Sequence, residues 1–168
     1  MNASANASVI IDLPKDEMLI KIAKKRYSKI YVPKEVLDEH KKPKKHVQRI
    51  HALEREGFIE RKELDERGIK YFRSFLKRGK LGEGECAAIA LALQLDLPEV
   101  LLDDKLAIST ASKVGLKSVS ISYLPLWGFK NDLVTSDETE YLLRELFTRN
   151  DPNLLVLMGI LRELERRK

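Results

Sequence analysis

A single cysteine, Cys86, leaves this chain without an internal disulfide. Its alanine neighbours predict a small buried core residue rather than a reactive thiol. No apolar run approaches the roughly 18 residues that a membrane span requires. The opening stretch, MNASANASVIID, has no basic segment followed by an apolar one, so no secretory signal is expected. The glycosylation sequons at Asn2 and Asn6 therefore carry no weight. The expectation is a soluble, cytoplasmic protein with no membrane partner. Histidine is scarce as well. His40, His46 and His51, six and five residues apart, suit neither a helical metal pair nor an H-x₃-H element. There is no P-loop, no G-x-G-x-x-G and no nucleophile elbow. Trp127, the lone tryptophan, follows the last clear strand and reads as a packing anchor.

What is present is a globular composition, 43% hydrophobic and 34% charged, over a length that suits one domain with a substantial core. The charge is unevenly spread. Residues 41–80 hold 14 Lys/Arg against 6 Asp/Glu, a local +8 in a chain whose net charge is +5. The remainder holds 17 basic residues against 20 acidic ones and is therefore slightly negative. Tyr71, Phe72 and Phe75 are interleaved with the cations. A solvated, charge-rich helix pair accounts for such a block when it stands alone. Beside an acidic cluster, the block favours a nucleic-acid substrate, with cations holding the backbone on which carboxylates act.

That acidic cluster lies in LGEGECAAIALALQLDLPEVLLDDK, residues 81–105. Glu83 and Glu85 open an Ala-rich helix, and Asp103 and Asp104 close a short apolar strand. In a parallel α/β sheet, ligands bind outside the carboxyl ends of the strands, which points Asp103 and Asp104 into the site. Gathered carboxylates repel unless a cation joins them, and oxygen-only ligands suit Mg²⁺ or Mn²⁺. The alternative is local chemistry: acids favour a helix's first turn, and Asp is common in turns.

The elements alternate. A helix is predicted from Asp16 to Tyr27, a strand over 29–32 closed by Pro33, and a helix over 34–41. Beyond Pro43 come a helix over 45–56 ending at Gly57, an edge strand over 58–61, and helices over 66–78 and 84–95. Strand 100–102, helix 105–114 capped by Gly115, strand 117–121 and helix 137–149 follow. Asp151-Pro152 opens a last helix reaching about Arg166. Strands separated by helices indicate a mainly parallel sheet in a three-layer α/β/α domain. The last helix carries Leu154, Leu155, Leu157, Met158, Ile160, Leu161 and Leu164. That band is wider than a one-sided helix needs, so it is either sandwiched in the core or part of a dimer contact.

The order NASVIIDLPK, KIYVPKEVLDE, GFIER, LGEGECAAIALAL, LLDDKLA, VGLKSVSI resembles PIN-domain proteins, in particular a short PIN-like family allied to VapC-type toxin nucleases. The resemblance covers about residues 6–122 of a single domain, with 123–168 as a helical C-terminal extension. It implies a central parallel sheet with helices on both faces and acids that bind Mg²⁺ or Mn²⁺ to cleave single-stranded RNA. It also implies an antitoxin protein as partner, and a homodimer is expected. Carried over by position, Glu39, Glu85 and Asp104 are the catalytic acids. Asn6 and Asp103 join them as metal ligands. Ser8, Lys41, Lys42, Lys44, Lys45 and Arg49 are the expected nucleic-acid contacts.

Asn6 stands where the family usually has Asp, which removes one negative charge. The segment MNASA also lacks the apolar residues of a buried strand. In an alternative alignment Ser8–Ile11 is the strand and Asp12 its terminal acid, but the register of LIKIAKKRYSKIYVP favours Asn6. Two rival functions remain: a degenerate PIN module that binds RNA or protein without cutting, and a receiver-like domain using Asp103 and Asp104. The receiver reading fits the order of motifs poorly.

Overall fold

Five parallel strands form one sheet in the order β3-β2-β1-β4-β5. They are β1 (Asn2–Ala5), β2 (Lys29–Pro33), β3 (Ile59–Lys62), β4 (Glu99–Leu101) and β5 (Lys117–Val119). The computed structural model describes residues 1–34, 44–147 and 152–167. Between and after the strands come α1 (Ala7–Asp12), a 3₁₀ turn (Leu13–Lys15), α2 (Glu17–Arg26), α3 (Lys44–Arg55), α4 (Glu66–Leu76) and α5 (Glu83–Gln94). They continue with α6 (Lys105–Lys113), α7 (Tyr123–Lys130), α8 (Ser136–Leu146) and α9 (Pro152–Arg166). The expected helix over 34–41, with Glu39, and the expected cap Asp151 lie almost wholly outside the described residues.

Strand side chains alternate between two cores, as the period of two requires. Ala3, Ala5, Ile30, Val32, Leu101 and Val119 face the layer containing α1, α2, α3, α7, α8 and α9. Val100 and Leu102 face α4, α5 and α6, together with the partly buried Tyr31. The architecture is the expected three-layer α/β/α fold.

The first strand is where the composition misled. NASA forms the central strand despite having no large apolar side chain. Small residues let the Ala-rich α5 approach closely, and the fully buried Ser4 hydroxyl donates to the Ala88 carbonyl at 2.7 Å. The alternative alignment fails because residues 7–12 are helical. The Asn6 side chain accepts from the Val9 amide and caps α1, while Val9 and Ile10 are buried in the core. Helix α7 was not expected either. Its Pro125 sits in the first turn, where the missing N–H costs little. Trp127 is half-buried against the core with Arg26 over its ring, the anchor expected. Gly57 and Gly115 end their helices at φ of +74° and +82°, where a glycine costs least. Cys86 is buried, as its neighbours suggested.

Helix α9 buries Leu154, Met158 and Leu161 but leaves Leu155, Val156 and Ile160 exposed, so only one side of the wide band is in the core. Among the described residues, no helix is long and apolar enough to cross a membrane.

At the amino end of β4, Glu99 is 2% exposed and fully paired. Arg26 grips both its oxygens at 2.8 and 2.9 Å, the Tyr27 hydroxyl donates at 2.9 Å, and Lys117 Nζ lies 2.8 Å away. Burial opposes the charge, yet these donors hold the carboxyl below the ordinary Glu value of 4.5. Its contribution is therefore present above 4.5 and lost as pH falls through the lower folded value. Arg26→Met should cost about 3 kcal/mol in denaturant unfolding. Glu99→Gln should flatten the acid limb of the stability profile. An acid limb identical to wild type would place the acid sensitivity elsewhere.

Candidate active site

Parallel strands bring their carboxyl ends to one edge, and the chain leaves β1 and β4 in opposite directions, toward β2 and β5. The crevice between them is the topological switch point, where ligands bind in such sheets. The Asn6 amide donates to the Leu101 carbonyl at 3.3 Å across it. Asn6 is 5% exposed, and its Oδ1 lies 2.9 Å from Ser8 Oγ, which is also 3.3 Å from Asp103 Oδ2. Ser8 has one proton to divide between these two acceptors.

Asp103 is the most connected acid of the cluster. Its Oδ1 accepts from Ser120 Oγ at 2.6 Å and from the Ile121 amide at 3.1 Å. Since the Ser120 proton is given to the carboxylate, Ser122, with its Oγ 2.7 Å away, is the donor to Ser120. Burial pushes the Asp103 carboxyl up. The Asp12 charge pushes in the same direction, against the hydrogen bonds that favour ionisation. Asp12 ends α1 one turn after Ser8 and pairs with Lys15 at 2.6 Å. Ser8, Asp12, Asp103 and Lys105 line a cleft of about 480 Å³ together with apolar residues including Phe147, Val156 and Leu157.

Glu85 and Asp104 form a second, neighbouring pair. The Glu85 carboxylate reaches back to the Gly82 amide at 3.0 Å in the first turn of α5. Its carboxyl is pushed up by burial and, secondarily, by the Asp104 charge. Asp104 caps α6, with Oδ1 accepting from the Leu106 and Ala107 amides at 2.8 and 2.9 Å. Local helix chemistry and proximity to the site thus apply together.

Of the residues expected from sequence, Asn6, Ser8 and Asp103 are joined by hydrogen bonds, and Glu85 and Asp104 interact electrostatically beside them. Glu39, Lys41 and Lys42 lie outside the described residues, as do the side chains of Lys44 and Lys45 in the first turn of α3. Arg49 donates to the Pro14 and Lys15 carbonyls at 2.8 and 3.2 Å and approaches Glu17, tying α3 to the 3₁₀ turn. Among the described residues, no three Asp, Glu, His or Cys side chains are gathered closely enough to hold a metal. The donor chemistry still suits a hard cation: two carboxylates that repel, an amide oxygen and hydroxyls. Ser120 and Ser122 were not singled out from sequence, and Asp12 entered only as the terminal acid of the alternative alignment. The Ser8–Asp12 spacing of four on a helix capped by Asn6 was the available signal for Asp12.

A carboxyl with a raised folded pKa destabilises the protein as pH rises from the ordinary Asp value of 3.8 through the folded value. In Asp103→Asn the side-chain oxygen still accepts from Ser120 and Ile121. This variant should melt a few degrees above wild type at neutral pH and lose that advantage by about pH 3. A lower melting temperature at neutral pH would make the carboxylate structural.

A family model described as a PIN domain matches residues 3–150. No curated protein matches the chain. The match spans all five strands and the acids on both sides of the switch point, and by it the chain belongs to the PIN-domain family.

Proposed function

We propose that this protein is a Mg²⁺- or Mn²⁺-dependent endoribonuclease acting on single-stranded RNA. The observation that carries this reading is the half-buried Asp103 carboxylate at the switch point of a PIN domain, bonded to Ser8 and Ser120 and pushed up by burial and, to a lesser degree, by the Asp12 charge. A bound divalent cation relieves such repulsion. Asp103 and Asp12 would hold it, with Asn6 Oδ1 and Glu39 completing an oxygen set. When bound, such an ion supplies Lewis-acid stabilisation of phosphoryl charge and activates water.

The protein's own residues do the positioning. Ser120 and the Ile121 amide satisfy Asp103 Oδ1, while Oδ2 shares only the Ser8 proton. Asn6 and Ser8 fix the rim of the crevice through the cap of α1. Lys105 lines the same cleft and offers a cation to a phosphate. The exposed Arg73, Lys77 and Lys80, in and just after α4, precede the Glu85 turn in sequence and would supply further cations for a phosphate backbone. The exposed Leu155, Val156 and Ile160 provide the apolar contact for a homodimer. A toxin role restrained by an antitoxin protein is the biological form of this proposal.

Asn6 supports a second reading, an RNA-binding module without turnover. Its neutral side chain is engaged in capping α1, so the site has one charge fewer than an Asp would give it. Incubation of labelled single-stranded RNA with Mn²⁺ separates the two. Wild type should cut, Asp103→Asn should cut about 10²-fold more slowly or less, and Asn6→Asp should cut faster. RNA binding without cutting in wild type and in Asn6→Asp would favour the binding module.

A further inference from the structure

The acidic cleft does not end at Ser122. Ser120, Ser122 and Leu157 also line a second cavity of about 560 Å³, which runs back along the edge strand β5. The two cavities form one groove with opposite chemistry at its ends. Asp12 and Asp103 occupy one end, while Arg26, Lys117, Tyr123 and Trp127 line the other. At the second end, two cations face the single carboxylate of Glu99, leaving an excess positive charge.

Two features fit this end to a nucleotide. The Tyr123 side chain borders the cavity and the residue is 43% exposed, whereas the Trp127 ring is covered by the Arg26 guanidinium. The Lys117 side chain is 67% exposed, and Glu99 keeps two bonds from Arg26 and one from Tyr27 without it. Lys117 can therefore turn to a phosphate without stranding a buried charge. An aromatic face beside a detachable cation matches a base and its phosphate.

We infer that the groove along β5 and α7 is a flanking-nucleotide subsite, where a base stacks on Tyr123 and its phosphate meets Lys117, while the scissile phosphate lies in the Asp12–Asp103 cleft. The identity of the strand rests on the nuclease reading; the groove itself does not.

The test is fluorescence anisotropy in EDTA with a labelled oligo(U) about ten nucleotides long, a length within single-strand site sizes. Melting temperatures of all variants are checked first. Tyr123→Ala should weaken binding about tenfold and Tyr123→Phe should retain it. Lys117→Gln should weaken it and reduce the salt slope by about one. Folded Tyr123→Ala and Lys117→Gln proteins with wild-type affinity would overturn the subsite, even if wild type cuts RNA under Mn²⁺. A wild type that does not bind the strand would overturn it too, as would poly-glutamate competing as well as the oligonucleotide, which assigns the cations to a protein partner. Binding with the Tyr123 and Lys117 pattern but no cutting under Mn²⁺ would leave the subsite standing and remove the nuclease.

Discussion

The hydrogen bond from the Asn6 amide to the Leu101 carbonyl joins the ends of the two strands from which the chain departs in opposite directions. The acids and hydroxyls of the candidate site are arranged around that crossing. It forces Asn6 to serve as both strand end and helix cap, and so places Ser8 and Asp12 on one side of the crevice. It also sends Leu102 past the end of β4 while its amide still pairs with Val119, so that Asp103 emerges beside Ser120. The crevice is open because no βαβ crossover covers it.

The two ends of the sheet treat carboxylates removed from solvent, wholly at Glu99 and partly at Asp103 and Glu85, in opposite ways. At the amino end, Glu99 is surrounded by Arg26, Tyr27 and Lys117, and its charge stabilises the fold. At the carboxyl end, Asp103 and Glu85 are pushed up by burial and by the acids beside them, and their ionisation weakens the fold. Structural ion pairs perturb carboxyl groups as readily as functional sites do, so perturbation alone does not mark a site. The sign of the shift distinguishes the two ends. A carboxylate kept charged against its environment and supplied with only neutral donors is one that a cation would complete.

The sequence made the frame readable wherever apolar periodicity was clear. Helix α2, strand β2 and the α5–β4–α6 unit lie within a residue or two of their expected bounds, the usual uncertainty at element ends. The central strand was harder to read because its burial is achieved with alanine and serine. The closeness of α5 and the Ser4–Ala88 hydrogen bond replace the apolar bulk that marks most inner strands. Helix α7 was obscured by Pro125 and Gly128 within eight residues. At the site, Asp103 and Asp104 read alike in sequence, being adjacent acids at a strand end. Structure separates them: Asp104 spends one oxygen capping α6, while Asp103 bridges to Ser8 and Ser120 across the crevice. Ser120 was invisible as a site residue because its role depends on a strand eighteen residues earlier in register, not on its own neighbours.

The central proposal is electrostatic: Asp103 would hold a divalent cation. The most direct measurement is a ¹³C NMR titration of the Asp103 carboxyl with and without Mg²⁺. The midpoint should lie above the ordinary 3.8 in metal-free protein and fall when Mg²⁺ is added. A midpoint at or below 3.8 that Mg²⁺ does not move would contradict it.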